Sequence, residues 1–150
     1  MKPTEIFANS NRFPKILLTL YFIFWLLLAL KPNHRYDWFL ENLLIFVFVP
    51  FLILTYKKFR LSNTSYSLIL IFIIFHTIGT HYTYSEVPLG KIISEWFGAS
   101  RNHYDRFVHF IFGLLLTYPT RELFLILSKI QGRIWTFYIP VIIMISFGEG

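Results

Sequence analysis

The 150-residue chain contains no cysteine, which excludes disulfides, a thiolate nucleophile and thiolate metal ligation together. Charge is scarce: 15% of the residues are Asp, Glu, Lys or Arg, against about 25% in an ordinary soluble domain. The sequence has no glycine-rich phosphate loop, no H-E-x-x-H or E-x-x-H pair and no serine in a G-x-S-x-G turn. Nucleophile-based hydrolysis is therefore unsupported, and nothing signals heme, flavin or nucleotide, so no cofactor is expected. Internal repeats and Ser/Gly linkers are also missing, which leaves one domain.

What fills the space is hydrocarbon. Hydrophobic residues make up 55% of the chain and aromatics 21%, including 18 Phe, 9 Tyr and 4 Trp. A single soluble domain of this length has too little interior to hide so much apolar surface. Disordered chains carry the opposite composition. The remaining class is an all-α, polytopic transmembrane helical bundle.

Five uncharged stretches set the spans: residues 16–30, 42–56, 61–85, 107–118 and 134–148. A crossing needs about 20 apolar residues, and snorkelling lysines at the ends extend the shorter runs. The first run follows basic residues as a signal peptide would, but no small-x-small cleavage site comes after it, so it is read as an uncleaved span. One transmembrane domain over 1–150 is expected, with spans near 14–31, 40–56, 64–84, 103–118 and 134–148. Pro119 disfavours helix at Tyr118. Residues 120–131 then either continue the fourth span past a bend or lie along the interface.

The net charge of +6 would suggest nucleic acid in a soluble protein. Here the basic residues fill short gaps between apolar runs, where they set topology and meet anionic lipid. No basic stripe interleaved with stacking aromatics exists, so nucleic acid is not an expected partner. With five crossings, nine of the 14 Lys and Arg fall on the side of the N-terminus. The positive-inside rule then puts the N-terminus in the cytoplasm and the 85–106 loop outside.

The titratable groups gather toward that outer edge. At 1.5 Å per residue, His81 lies about 5 Å and His76 about 12 Å below the end of the third span, and His109 lies about 9 Å below the same edge in the fourth. Asp105 and His109 are four residues apart and share a helix face. His76 and His81 are five apart, about 140° around a regular helix, so both cannot face one ion. Asn102 is read as the helix start, with Asp105 three residues on as a variant capping box. Tyr82, Tyr84, Tyr104 and Tyr118 are read as interfacial belt residues. Gly79 and Gly113 are read as close-packing points between helices, and Arg121–Glu122 as a solvated pair.

Two stretches carry a resemblance. They are His76-Thr77-Ile78-Gly79-Thr80-His81-Tyr82-Thr83-Tyr84-Ser85 with Pro88, and Arg101-Asn102-His103-Tyr104-Asp105-Arg106-Phe107-Val108-His109-Phe110-Ile111-Phe112-Gly113 with Pro119 and Arg121-Glu122. Over about residues 72–122 the chain resembles the YjdF-like bacterial inner-membrane family, which has no assigned reaction. Asp105 with His109 is also similar, more weakly, to the D-x-x-x-H element of VanZ-like membrane proteins. The resemblance implies a multi-pass protein of the bacterial plasma membrane. It also implies a longer architecture, so the fifth span is expected to be cut short at Gly150.

Three functions are compatible with these residues. In the first, the cluster binds or modifies a lipid-linked or amphiphilic substrate. His109, Asp105 and His76 would carry the chemistry, while His81, Arg101, His103 and Arg106 would hold the substrate. In the second, the same groups serve ion, metal or solute transport. In the third, they only join helices in a structural or assembly role.

Overall fold

Apolar runs between turn-forming gaps fold here as helices because a backbone in lipid must satisfy its own N–H and C=O groups. The computed structural model describes residues 12–96, 102–128, 138, 141 and 142. Its helices are α1 (Arg12–Ala29), α2 (Arg35–Glu41), α3 (Leu43–Thr55), α4 (Asn63–Tyr82), α5 (Pro88–Trp96) and α6 (Tyr104–Ser128). A 3₁₀ turn, Tyr84–Glu86, lies between α4 and α5, and no strand occurs among the described residues. The protein is all-α, and among the described residues four stretches are long and apolar enough to cross a bilayer: Arg12–Ala29, Arg35–Thr55, Asn63–Tyr82 and Tyr104–Leu127. The expected fifth span, 134–148, lies outside the described residues except at Tyr138, Val141 and Ile142.

Two boundaries differ from those read in the sequence. The second span begins at Arg35, ahead of the charged Asp37 and Glu41. Asn42, with helical dihedrals, links α2 to α3 almost without interruption. In the fourth, the helix passes through Pro119 to Ser128, so of the two readings open for residues 120–131 the structure takes continuation of the span beyond Tyr118. Proline removes one backbone donor and disfavours helix before it, but within lipid an open backbone costs more than the local strain. Thr117 Oγ1 donates to the Gly113 carbonyl at 2.5 Å one turn earlier, the kind of back-bond that side chains offer in spanning helices.

Helix α4 is the hub. Its buried positions include Ser65, Ile69, Phe72, Ile73, His76, Thr77 and Thr80, spaced at helical intervals. Helix α1 packs on one flank and runs parallel to α4, since Tyr21 meets Thr77 and Leu28 meets His81. On the other flank α6 runs antiparallel, joined by Tyr104 to Phe75 at one end and Glu122 to Ser62 at the other. Rings fill the α4–α6 seam: Phe72 meets Phe112 edge-on at 5.3 Å and Phe75 meets Phe107 at 5.5 Å. The outward faces remain apolar, with Leu54 82% exposed and Val47 70%. That pattern suits contact with lipid or further protein, not water.

Both ends of α4 are closed by side chains from elsewhere. At its N-terminus, Ser62 Oγ accepts from the Ser65 N–H at 3.2 Å, an ordinary serine cap. Glu122 adds the unusual element. Its carboxylate accepts from the Ser62 N–H at 2.6 Å, from Ser62 Oγ at 2.9 Å and from Ser65 Oγ. Only 2% of Glu122 is exposed, which corrects the solvated reading of this residue. A negative charge against the positive end of a helix is electrostatically favourable. At the far end, the Asn33 N–H donates to the His81 carbonyl at 3.0 Å, and Asn33 Nδ2 donates to the Tyr82 carbonyl at 3.2 Å. Arg35 closes α1 in the same way, through the Ala29 and Leu30 carbonyls.

Replacing Glu122 by Ala removes the carboxylate that accepts from three buried donors, and leaves the Ser62 N–H without an acceptor. This should destabilise the bundle by about 2–4 kcal/mol, read as a lower melting temperature in detergent micelles. Glu122→Gln, which keeps an acceptor oxygen, should recover part of the loss. An unchanged melting temperature in Glu122→Ala would show that this contact does not hold α6 on α4.

Candidate functional site

The C-terminal end of α4 is built by a reversal of the chain. Thr83 adopts φ 64°, the left-handed region that a β-branched residue seldom occupies. This kink and the following 3₁₀ turn fold Tyr84 back over α4. There its ring covers Gly79, where an added Cβ would lie 2.7 Å from the ring. Glycine is therefore required by a loop residue of the same hairpin and not, as the sequence suggested, by a neighbouring helix.

Tyr84 reaches His76. Its hydroxyl donates to His76 Nδ1 at 2.5 Å, while His76 Nε2 meets the Glu41 backbone carbonyl at 3.2 Å. A carbonyl only accepts, so Nε2 carries a hydrogen, and in the neutral ring Nδ1 is then the acceptor for the Tyr84 hydroxyl. Burial raises the Tyr84 pKa well above that of an ordinary phenol, and the Glu41 carboxylate, Tyr104 and the Asp105 carboxylate add to the effect. Tyr84 is thus a permanent donor, and it is not the interfacial belt residue the sequence suggested. Its neighbour Tyr104, also read as a belt residue, is fully buried, with its hydroxyl donating to the Phe75 carbonyl at 2.8 Å.

The start of α6 supplies the second group. Asn102 Oδ1 accepts from the Tyr104 N–H at 3.0 Å, and Asn102 Nδ2 donates to the Val87 carbonyl at 3.0 Å. Asparagine does open this helix, as its position suggested. Asp105, however, turns forward to His109, with Oδ1 and Nε2 3.4 Å apart, and not back to the cap. The two side chains are 58% and 36% exposed, whereas Tyr104 and Val108 on the adjoining face carry the packing.

The other sequence-derived residues disperse. His81 Nδ1 donates to the Leu28 carbonyl at 2.7 Å, so this ring faces α1, on a different flank from His76. His103 contributes its backbone, through its N–H to Ser94 Oγ at 3.2 Å and its carbonyl to Phe107. Arg106 is exposed on α6, and Arg101 lies outside the described residues. Among the described residues, no three His, Asp or Glu side chains converge in a way that would hold a metal ion.

Two participants were missed by sequence reasoning. Glu41 has a buried Oε2 without a hydrogen-bond partner and lies within electrostatic reach of Asp37 and Asp105. It was passed over because it falls at the very edge of the expected span, 40–56, ahead of the uncharged run that begins at Asn42. With the helix starting at Arg35, Glu41 sits about 9 Å inside. His34, set apart from the other histidines in the sequence, forms an exposed ion pair with Glu86 at 3.6 Å at this same end. No local signal could pair residues from separate loops.

An apolar groove of about 250 Å³ lies at the other end of the bundle, between α1, α3 and α4.

Comparison with known proteins places the architecture. Residues 13–149 match the family described as "Predicted membrane protein (DUF2238)". Inner membrane protein YjdF of Escherichia coli (strain K12) is 31% identical over 105 residues, which are 70% of this chain and 50% of that protein. The chain thus spans about half the length of the curated relative it matches. No solved structure matches it. Four apolar spans and a family match over nearly the whole chain lead to one conclusion: this is a multi-pass membrane protein belonging to the DUF2238 family.

Proposed function

We propose that the cluster at the C-terminal end of α4 binds the polar head of an amphiphilic or lipid-linked substrate and transfers a proton on it, in the extracytoplasmic leaflet of a bacterial inner membrane. The observation that carries this reading is the Asp105–His109 pair. Titratable groups at membrane depth are costly and are retained mainly for function. A half-exposed pair adds little stability, and the packing at this level is done by Tyr104 and Val108. Structural need therefore does not account for the pair.

In the proposed chemistry, Asp105 accepts a hydrogen bond from His109 Nε2–H and so orients the ring. His109 Nδ1 is then left as the acceptor that removes or returns a proton. Arg106, beside Asp105 and exposed, offers a guanidinium fork for an anionic headgroup. His76 and Tyr84 act as positioning residues that fix the α4–Tyr84 hairpin against α2. Arg101 and His103 keep their roles as substrate contacts in this proposal. The orientation rests on the excess of basic residues on the N-terminal side.

Three outcomes test this reading. With a photoreactive benzoyl-phenylalanine at Phe110, which is 66% exposed next to His109, crosslinking in native membranes should capture a polar-headed amphiphile identifiable by mass spectrometry. The yield should drop at least tenfold on adding Asp105→Asn or His109→Ala. Yields that stay equal would eliminate the site.

Tyr84→Phe should behave differently, because it leaves His76 Nδ1 buried without a donor. It should lower stability by about 1–3 kcal/mol, whereas His109→Ala should shift the melting temperature very little. If both variants melt alike, the division between positioning and chemical roles fails. Finally, alkaline phosphatase fused after Trp96 should be active, and an inactive fusion would reverse the orientation.

A further inference from the structure

We propose that the apolar groove between α1, α3 and α4 is a binding site for an anionic phospholipid. One acyl chain would lie in the groove and the phosphate would be held by Arg60. This site is at the opposite end of the bundle from the Asp105–His109 pair and stands independently of the function proposed for that pair.

The walls are hydrocarbon: Leu18 from α1, Leu52 and Ile53 from α3, Ile69 and Ile73 from α4. Helix α3 is tied to α1 at one end, where Trp25 Nε1 donates to Asn42 Oδ1 at 2.8 Å. The groove lies at the other end, lined by the first turns of α1 and α4 and the last turns of α3. These five wall residues belong to membrane-spanning stretches, which puts this part of the groove at the depth of lipid chains.

The head end is specified by charge. Lys15, in the first turn of α1, lines the groove together with Tyr56 and Tyr66. These two rings lie 6.0 Å apart, and the Arg60 guanidinium sits over Tyr56 at 5.7 Å. Arg60 is thereby held at the tyrosine pair, yet its Nη2 is buried with no hydrogen-bond partner among the described residues. A buried guanidinium nitrogen without an acceptor is an unmet demand for an anion. Lys57 and Lys58 precede it in the same loop. A phosphodiester at this position would accept from Arg60 and Lys15 while its chain enters between α1 and α3. A zwitterionic lipid offers the same chain but meets the lysines with a compensating positive charge.

The test uses the full chain in a mild non-ionic detergent, titrated with dioleoyl-phosphatidylglycerol, dioleoyl-phosphatidylcholine or glycerol 3-phosphate. Binding is followed by thermal unfolding and by native mass spectrometry. Phosphatidylglycerol should raise the melting temperature by several degrees and remain bound in the mass spectrum. Phosphatidylcholine should bind about tenfold more weakly, and glycerol 3-phosphate should have no effect. Arg60→Gln should remove the preference for phosphatidylglycerol. Ile53→Trp, which fills the groove, should abolish retention of either lipid, and Leu18→Trp does the same from the facing wall if the first variant folds poorly. Equal binding of the two lipids by the unmodified chain would overturn the role of Arg60, and full binding in the folded Trp variants would overturn the groove. Stabilisation by glycerol 3-phosphate alone would show a headgroup site without a chain site, and the proposal would fall.

Discussion

Backbone amides inside hydrocarbon have no water to turn to, and this demand is met most visibly at the two ends of α4. A regular helix satisfies its own middle but leaves four donors open at its start and four acceptors at its finish. In α4 the donors are met by Ser62 and Glu122, and the acceptors by Asn33. Each of these caps also fixes a neighbour in place. Glu122 holds α6 against the start of α4, and Asn33 holds the α1–α2 loop against its end. The helix that most needs closure at its ends is thus the one around which the bundle is organised.

The histidines show how position along a span differs from role. His76 and His81 lie within two turns on α4, yet both use their ring nitrogens on backbone carbonyls of other helices, those of Glu41 and Leu28. Such bonds replace water for a polar group buried in the membrane and contribute modestly to helix association. His109 differs in that its partner is a carboxylate and its ring is partly accessible. The pair proposed for proton transfer thus lies on α6, while the α4 histidines join helices. The apolar groove at the opposite end follows the same logic of partition: a space lined by hydrocarbon suits the acyl chain proposed for it, and Arg60 beside Tyr56 suits the head.

Much of the architecture was legible in the sequence because a bilayer reads composition locally. A run such as residues 61–85, uncharged and bounded by Arg60 and Glu86, has few alternatives to a spanning helix. Asp105 and His109 were legible for the same reason, since an interval of four on one helix needs no tertiary knowledge. The misreadings fall where local rules met a distant partner. Glu122 was read as a solvated surface residue, and Tyr84 and Tyr104 as residues of the lipid interface. In each case the deciding contact or constraint lay outside the local sequence window.

By itself, then, the amino-acid sequence determined that the chain is a bundle of membrane helices and that His76, His81, His103 and His109 fall toward one end of it, because transfer to lipid depends on each residue's own chemistry. Only the tertiary structure decided which way those groups point. The partners of His76, His81 and Glu122 lie 35, 53 and 60 residues away, and a shift of one residue in helix register turns a side chain by about 100°. Direction is a property of packed helices, and no window of sequence short enough to read by eye contains it.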